Sequence, residues 1–355
     1  EISECLVGSE MCIRDRINTM FSSTKLVVFN KSSVRFIQTE LPIKPIIDMK
    51  YDLHLPKRSV IGKMPYHVEE PIVFVHGLFG SKRNYSQDCA KLANLLQTPI
   101  YTVDIRNHGE SEHALPFDYE TITNDLLHFV KKHNLKTPSL IGYSLGAKVS
   151  MLSLLREPSL FKSAMIIDNS PVEQPEIVPF LKVFRKACAE TVTKSNISAN
   201  DKEYRSKASK FMSKYIPNAG IRGYLLNNCL NSKPKYQSPV INYDDGKIHW
   251  RNPVLQLAGY AEENVAAWPS VPEGAKFTGP VGFLRGTKSD FVLQKGRDAI
   301  QKLFPNNRIY DINATHFILN ERPSEYVGMV ADWFKFGRHD VEKLSAKKKS
   351  QNAQL

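Results

Sequence analysis

The chain has 355 residues, 42% hydrophobic and 24% charged, with a net charge of +12. That balance belongs to a folded globular protein rather than a disordered or fibrous one, and no apolar run approaches the roughly 18 residues of a membrane-spanning helix. Much of the positive excess gathers at the ends and the middle instead of forming one aromatic-laced stripe, which argues against a nucleic-acid partner.

Residues 1–19 have no helical or strand periodicity, and Ser9–Arg16 resembles read-through of a sequencing adapter, so 1–19 is expected to be non-native. From Met20 to Thr39 there is no acidic residue, while Ser22, Ser23, Lys25, Lys31, Ser32, Ser33 and Arg35 give a basic, serine-rich composition. This is the composition of a mitochondrial transit peptide and lacks the continuous apolar stretch of a secretory signal. The expectation is a presequence over 20–45 and residence in the mitochondrion.

From Pro71 onward, short β-branched runs alternate with helical stretches, the pattern of βαβ units on a mostly parallel sheet. The predicted strands are Ile72–Val75, Ile100–Val103, Ser139–Ile141, Ala164–Ile167, Val281–Leu284 and Arg308–Ile312. Between them, Tyr119–His133 carries Ile122, Leu126, Phe129 and Val130 at helical spacing. The alternation stops between about Val172 and Gly279, too long an interval for a loop. Helices are predicted there over Glu176–Val192, Lys202–Tyr215 and Ile221–Leu230, followed by a hairpin of Val240–Tyr243 and Lys247–Trp250 around Asp244-Asp245-Gly246. The expected organisation is a core over 50–171 and 279–335, an inserted lid over 172–278, and a basic, solvated tail over 336–355. Cys5, Cys12, Cys89, Cys188 and Cys229 are widely spaced without a CxxC pair, so neither a disulfide framework nor a zinc site is expected and a reducing compartment fits.

Gly142-Tyr143-Ser144-Leu145-Gly146 follows an apolar strand and precedes a helix. A nucleophile elbow needs that strand-turn-helix setting, with glycines that allow close backbone approach and a serine left exposed at the sheet edge. His76-Gly77-Leu78-Phe79-Gly80 directly follows Ile72–Val75, where an oxyanion-hole loop belongs, so the N–H groups of Leu78 and Leu145 are the predicted oxyanion donors. His316, just after the last strand, is the predicted general base. His76 and His108, the latter in Asp104-Ile105-Arg106-Asn107-His108-Gly109, read as structural. Two carboxylates compete to orient His316: Asp168 at the end of one strand and Asp290 in Gly286-Thr287-Lys288-Ser289-Asp290. Their pattern alone leaves both open. The Asn313-Ala314-Thr315 sequon is discounted beside the predicted base.

These segments, with Asp168-Asn169-Ser170-Pro171 and Thr315-His316-Phe317, resemble the α/β-hydrolase-domain esterases of mitochondria and bacteria, and within them the yeast ethanol acetyltransferases, over about Tyr51 to Phe334. The resemblance implies an α/β-hydrolase fold, a Ser144–Asp168–His316 triad with the acid in the DxxP segment, and mitochondrial residence. It implies an alcohol O-acetyltransferase that makes ethyl acetate from acetyl-CoA and ethanol, with side esterase and thioesterase activity. The alternatives are a plain ester or thioester hydrolase and, further off, a non-catalytic binding module. No bound cofactor or metal is expected; acetyl-CoA enters as co-substrate, with Lys182, Arg185 and Lys186 as candidates to meet its phosphates.

Overall fold

Runs such as Ile-Val-Phe-Val at 72–75 have no polar face to offer water, so they form strands buried on both sides. In the computed structural model, which describes residues 40–57, 70–257 and 261–338 together with the backbone of an antiparallel strand pair Lys25–Asn30 and Ser33–Gln38, they make a seven-stranded sheet. Residues 1–19, most of the predicted presequence and the tail beyond Arg338 lie outside the fully described residues.

The strands are β1 (Lys50–His54), β2 (Ile72–Val75), β3 (Ile100–Asp104), β4 (Ser139–Tyr143), β5 (Ala164–Ile167), β6 (Val281–Gly286) and β7 (Asn307–Ile312). Their spatial order is β7-β6-β5-β4-β2-β3-β1, and every neighbour pair is parallel except β1 with β3. β1 was not among the predicted strands. Its Lys50, Asp52 and His54 alternate with Tyr51 and Leu53 on a largely exposed edge, so it carries no apolar run.

Side chains alternate along each strand, and β2 shows the result: Val73 and Val75 enter one core, Ile72 and Phe74 the other. Helices α1 (Ser86–Leu96) and α9 (Pro323–Asp332) cover the Ile72/Phe74 face. The opposite face is covered by α2 (Tyr119–Lys132), α3 (Leu145–Arg156) and α8 (Gln294–Leu303). The chain runs outward from β2 to β3 and then crosses to β4 on the other side. Such a reversal opens a crevice at the carboxyl ends of β2 and β4, the place where open α/β sheets hold ligands.

Between β5 and β6 stand α4 (Val178–Lys194), α5 (Tyr204–Met212), α6 (Ala219–Leu226) and α7 (Ala261–Ala266). Two expectations need correction. α6 ends at Leu226, since Cys229–Leu230 leaves the helix to pair antiparallel with His249–Trp250. The predicted hairpin across Asp244–Gly246 is therefore not formed. The turn itself exists, with Gly246 at φ +74 and the Asp245 carboxylate accepting from the Lys247 N–H. Trp250, however, is drawn into the helical insertion, where its indole N–H donates to the Cys188 carbonyl at 2.5 Å, and no strand forms over Val240–Tyr243.

The loop after β3 is braced by a buried ion pair. Arg106 meets both carboxylate oxygens of Asp125 on α2 at 2.6 and 2.7 Å, with neither side chain exposed, and donates to the Pro116 carbonyl at 2.8 Å. Removing one partner strands a desolvated charge. Asp125→Ala is expected to lower unfolding free energy by about 3–5 kcal/mol, read as a drop in the urea midpoint; a change below about 1 kcal/mol would mean that water reaches Arg106.

Candidate active site

Each loop that leaves the carboxyl edge of β2 through β7 brings one part to the crevice. At the turn from β4 into α3, Ser144 sits at φ +55 and ψ −114, a conformation that an L-residue holds only when its surroundings impose it. They do so here: the Ser144 N–H donates to the Ile167 carbonyl of β5 at 3.1 Å. α3 also packs so closely on β2 that a Cβ at Gly146 would lie 2.2 Å from the Val75 oxygen.

His316, after β7, places Nε2 2.9 Å from Ser144 Oγ and Nδ1 2.7 Å from Asp168 Oδ2. Asp168 follows β5, is fully buried, and takes φ +50. Its second oxygen accepts the Gly286 N–H at 2.9 Å, and the Ser289 hydroxyl donates to Oδ2. With the carboxylate as acceptor, the imidazole proton belongs on Nδ1, which leaves the Nε2 lone pair facing the serine hydroxyl. The Phe291 ring stacks on the imidazole at 3.6 Å and 11°, and the Tyr143 hydroxyl donates to the His316 carbonyl at 2.9 Å, so ring and backbone are both held. Asp290, the competing carboxylate, is exposed on the loop before Phe291.

Leu145 opens α3, so its N–H, like all those of a first helical turn, has no carbonyl four residues back to bond. The 76–80 loop lies against the nucleophile; a Cβ on Gly77 would be 3.0 Å from Ser144 Cβ. Leu78 and Leu145 thus flank Ser144 from two directions, the arrangement an oxyanion hole requires.

His76 and His108 stand behind that loop. The His76 Nδ1–H donates to the Gly77 carbonyl at 2.8 Å, and Nε2 accepts from the Ile105 N–H at 3.2 Å. In His108, Nδ1 donates to the Arg106 carbonyl at 2.9 Å, and Nε2 accepts the Phe79 N–H at 3.0 Å. Each ring needs one bare nitrogen. Burial keeps it bare, pushing His76 down to about 4 and His108 well below its ordinary range. Beside them, burial raises Asp104 to about 6, against the pull of the Glu110 and Lys82 N–H groups.

Above Ser144 is a narrow pocket walled by Phe180, Leu181, Phe184, Phe291 and Phe317. Sequence reasoning missed several contributors. Asn169 donates to the Ser144 carbonyl at 2.9 Å, and Ser289 and Phe291 hold the acid and the base. Asn169 was visible as part of Asp168-Asn169-Ser170-Pro171; the other two sit in a loop whose only signal was its position after a strand. Lys182 and Lys186 lie exposed on α4, with Arg185 partly buried between them. Among the described residues, no group of three or more His, Cys, Asp or Glu is arranged to hold a metal ion, and no helix is long and apolar enough to cross a membrane.

Residues 70–187 match a family model described as alpha/beta hydrolase fold. Over 336 residues the chain is 79% identical to ethanol acetyltransferase 1 of Hanseniaspora uvarum, covering 95% of this chain and 100% of that protein. The chain belongs to the ethanol acetyltransferase family of α/β hydrolases. Another member, ethanol acetyltransferase 1 of Kluyveromyces marxianus, is 58% identical over 306 residues, 85% of this chain and 84% of its own. Among solved structures, a marine microorganism esterase shares the fold with a TM-score of 0.65 and 24% identity, covering 81% of this chain and 99% of that one.

Stability should fall on acidification. An unfolded histidine takes its proton near pH 6.5, whereas His76 does so only at about 4 and His113, also buried, at about 3. The unfolded chain therefore binds protons first, and stability present above pH 6.5 is lost as pH drops. Between pH 7 and 5 each contributes a loss of about 2 kcal/mol, and His108 acts in the same direction. Asp104 has the opposite sign, since its raised value makes the folded state take up the proton first; it returns roughly 1 kcal/mol. Calorimetry at the two pH values should show a lower midpoint at pH 5, and an equal or higher one contradicts the assignment.

Proposed function

We propose that this chain is an alcohol O-acetyltransferase that makes ethyl acetate from acetyl-CoA and ethanol through an acetyl-Ser144 intermediate. The observation that carries the reading is the 79% identity along the full length of an ethanol acetyltransferase. The Ser144–His316–Asp168 line supplies the chemistry. Ser144 Oγ attacks the thioester carbonyl as its proton passes to His316 Nε2, and the Leu78 and Leu145 N–H groups receive the developing oxyanion. Asp168 stabilises the imidazolium. The C–S bond breaks, His316 returns the proton to the departing CoA sulfur, and the acetyl ester remains on Ser144. Ethanol then attacks that ester while giving its proton to His316. The Ser144 C–O bond breaks, the proton returns to Oγ, and ethyl acetate leaves.

Water in place of ethanol would give acetate by the same steps, so the two outcomes differ only in the second nucleophile. The aromatic walls of the pocket favour a small alcohol with an apolar end over water. Lys182, Arg185 and Lys186 on α4 supply positive charge for the CoA phosphates. Purified protein given acetyl-CoA is expected to form ethyl acetate that rises with ethanol at the expense of acetate; acetate alone at high ethanol would overturn the transferase reading and leave a thioesterase. Ser144→Ala should reduce turnover by roughly 10³-fold or more and abolish labelling by a fluorophosphonate probe.

The acid-free, basic and serine-rich stretch over 20–39 supports import into mitochondria. A fusion of residues 20–60 to a fluorescent protein should colocalise with a mitochondrial dye in yeast, and cytosolic fluorescence would refute the location.

A further inference from the structure

The oxyanion loop is fixed by side chains from the helical insertion, far from it in sequence. Along 77–80, the three carbonyls of residues 77–79 and the N–H groups of Phe79 and Gly80 have partners. The Gly77 carbonyl accepts from the Gly80 N–H at 3.0 Å and from His76. Tyr224, on α6, donates its hydroxyl to the Leu78 carbonyl at 3.2 Å, and His108 accepts the Phe79 N–H of that same peptide. Asn228, just beyond α6, donates Nδ2 to the Phe79 carbonyl at 2.8 Å. The Leu78 N–H has no protein partner among the described residues, and Leu78 lines the pocket beside Ser144. Phe79 itself stands at φ +57, a conformation that a bulky side chain does not adopt unaided. Asn228 is fully buried with its Oδ1 unpartnered, and the bond to this loop is the only one its side chain makes among the described residues. A further strut runs the other way, from Asn84 Nδ2 to the Tyr224 carbonyl at 3.2 Å, tying the turn after the loop back to α6.

We infer that Tyr224 and Asn228 are positioning residues of the oxyanion hole: they hold peptides 78–79 and 79–80 so that the Leu78 N–H points at the developing oxyanion. The insertion is then part of the catalytic machinery and not only a cover over the pocket. The inference rests on the serine acyl-transfer reading above and deepens it.

The test uses the full chain with 4-nitrophenyl acetate as substrate and a trifluoromethyl ketone as a probe that becomes a tetrahedral oxyanion on Ser144. Asn228→Leu keeps the volume and removes the donor; Tyr224→Phe removes a single hydroxyl and guards against a folding failure in the first. Removing a direct oxyanion donor costs about 10²–10³ in kcat, and releasing the peptides that aim it is expected to cost roughly 10-fold in kcat with KM within about threefold. Affinity for the ketone should fall by the same factor as kcat. Affinity for a short alcohol that inhibits without forming an oxyanion should stay put. Variants with kcat and ketone affinity within twofold of wild type overturn the inference, as does a loss of kcat that the ketone does not follow. A wild-type protein that neither turns over ester nor reacts with the serine probe refutes the acyl-transfer reading, and this inference with it.

Discussion

A single backbone conformation governs the rest of the site: the left-handed turn at Ser144. It is unfavourable by itself and persists because β5 captures the Ser144 N–H and because Gly146 lets α3 sit almost on the carbonyl of β2. Both supports lie in the sheet. The nucleophile is therefore aimed by the most rigid part of the molecule, while the acid comes from the turn after β5 and the base from a loop 172 residues away. The loops need not be precise by their own means. Asp168 is gripped by Gly286 and Ser289, and His316 is pressed by Phe291, so both are fixed from the end of β6 and the loop that follows it.

Behind the crevice lies a group of buried polar side chains that takes no part in proton transfer. Arg106, Asp125, His76, His108 and Asp104 are wholly buried and mutually hydrogen-bonded or braced by backbone. Groups of this kind give little net stability compared with an apolar core. What they give is a defined position for the loop at 105–109 and, through it, for the loop at 76–80 that faces the pocket.

The parallel strands and the elbow were legible because their signals are local: a continuous apolar run for a strand buried on two faces, and glycine two positions before and after a serine for the turn. Ser144 and His316 followed from position along a known order of elements. The choice between Asp168 and Asp290 was not legible from pattern, since both follow strands; it depends on which loop curls toward the imidazole, a matter of register between β5 and β6 that no short window encodes. β1 escaped notice as an edge strand with a polar face. The false hairpin arose from reading Asp244-Asp245-Gly246 as a strand connection when Trp250 had a stronger claim elsewhere, on the carbonyl of Cys188. Asn228 looked like the end of an ordinary helix; its partner is 149 residues away, and nothing in its neighbours points there.

The grip of Tyr224 and Asn228 on the oxyanion loop also limits how such a protein can diversify. In many α/β folds the segment over the crevice behaves as an exchangeable module, free to change shape while the sheet keeps the chemistry. Here a replacement segment that recognised a different alcohol perfectly would still lack the two donors that the loop at 78–79 leans on. Acceptor choice and catalytic competence are thus inherited together, and a graft would have to carry a tyrosine and an asparagine in register before any gain in selectivity could be expressed.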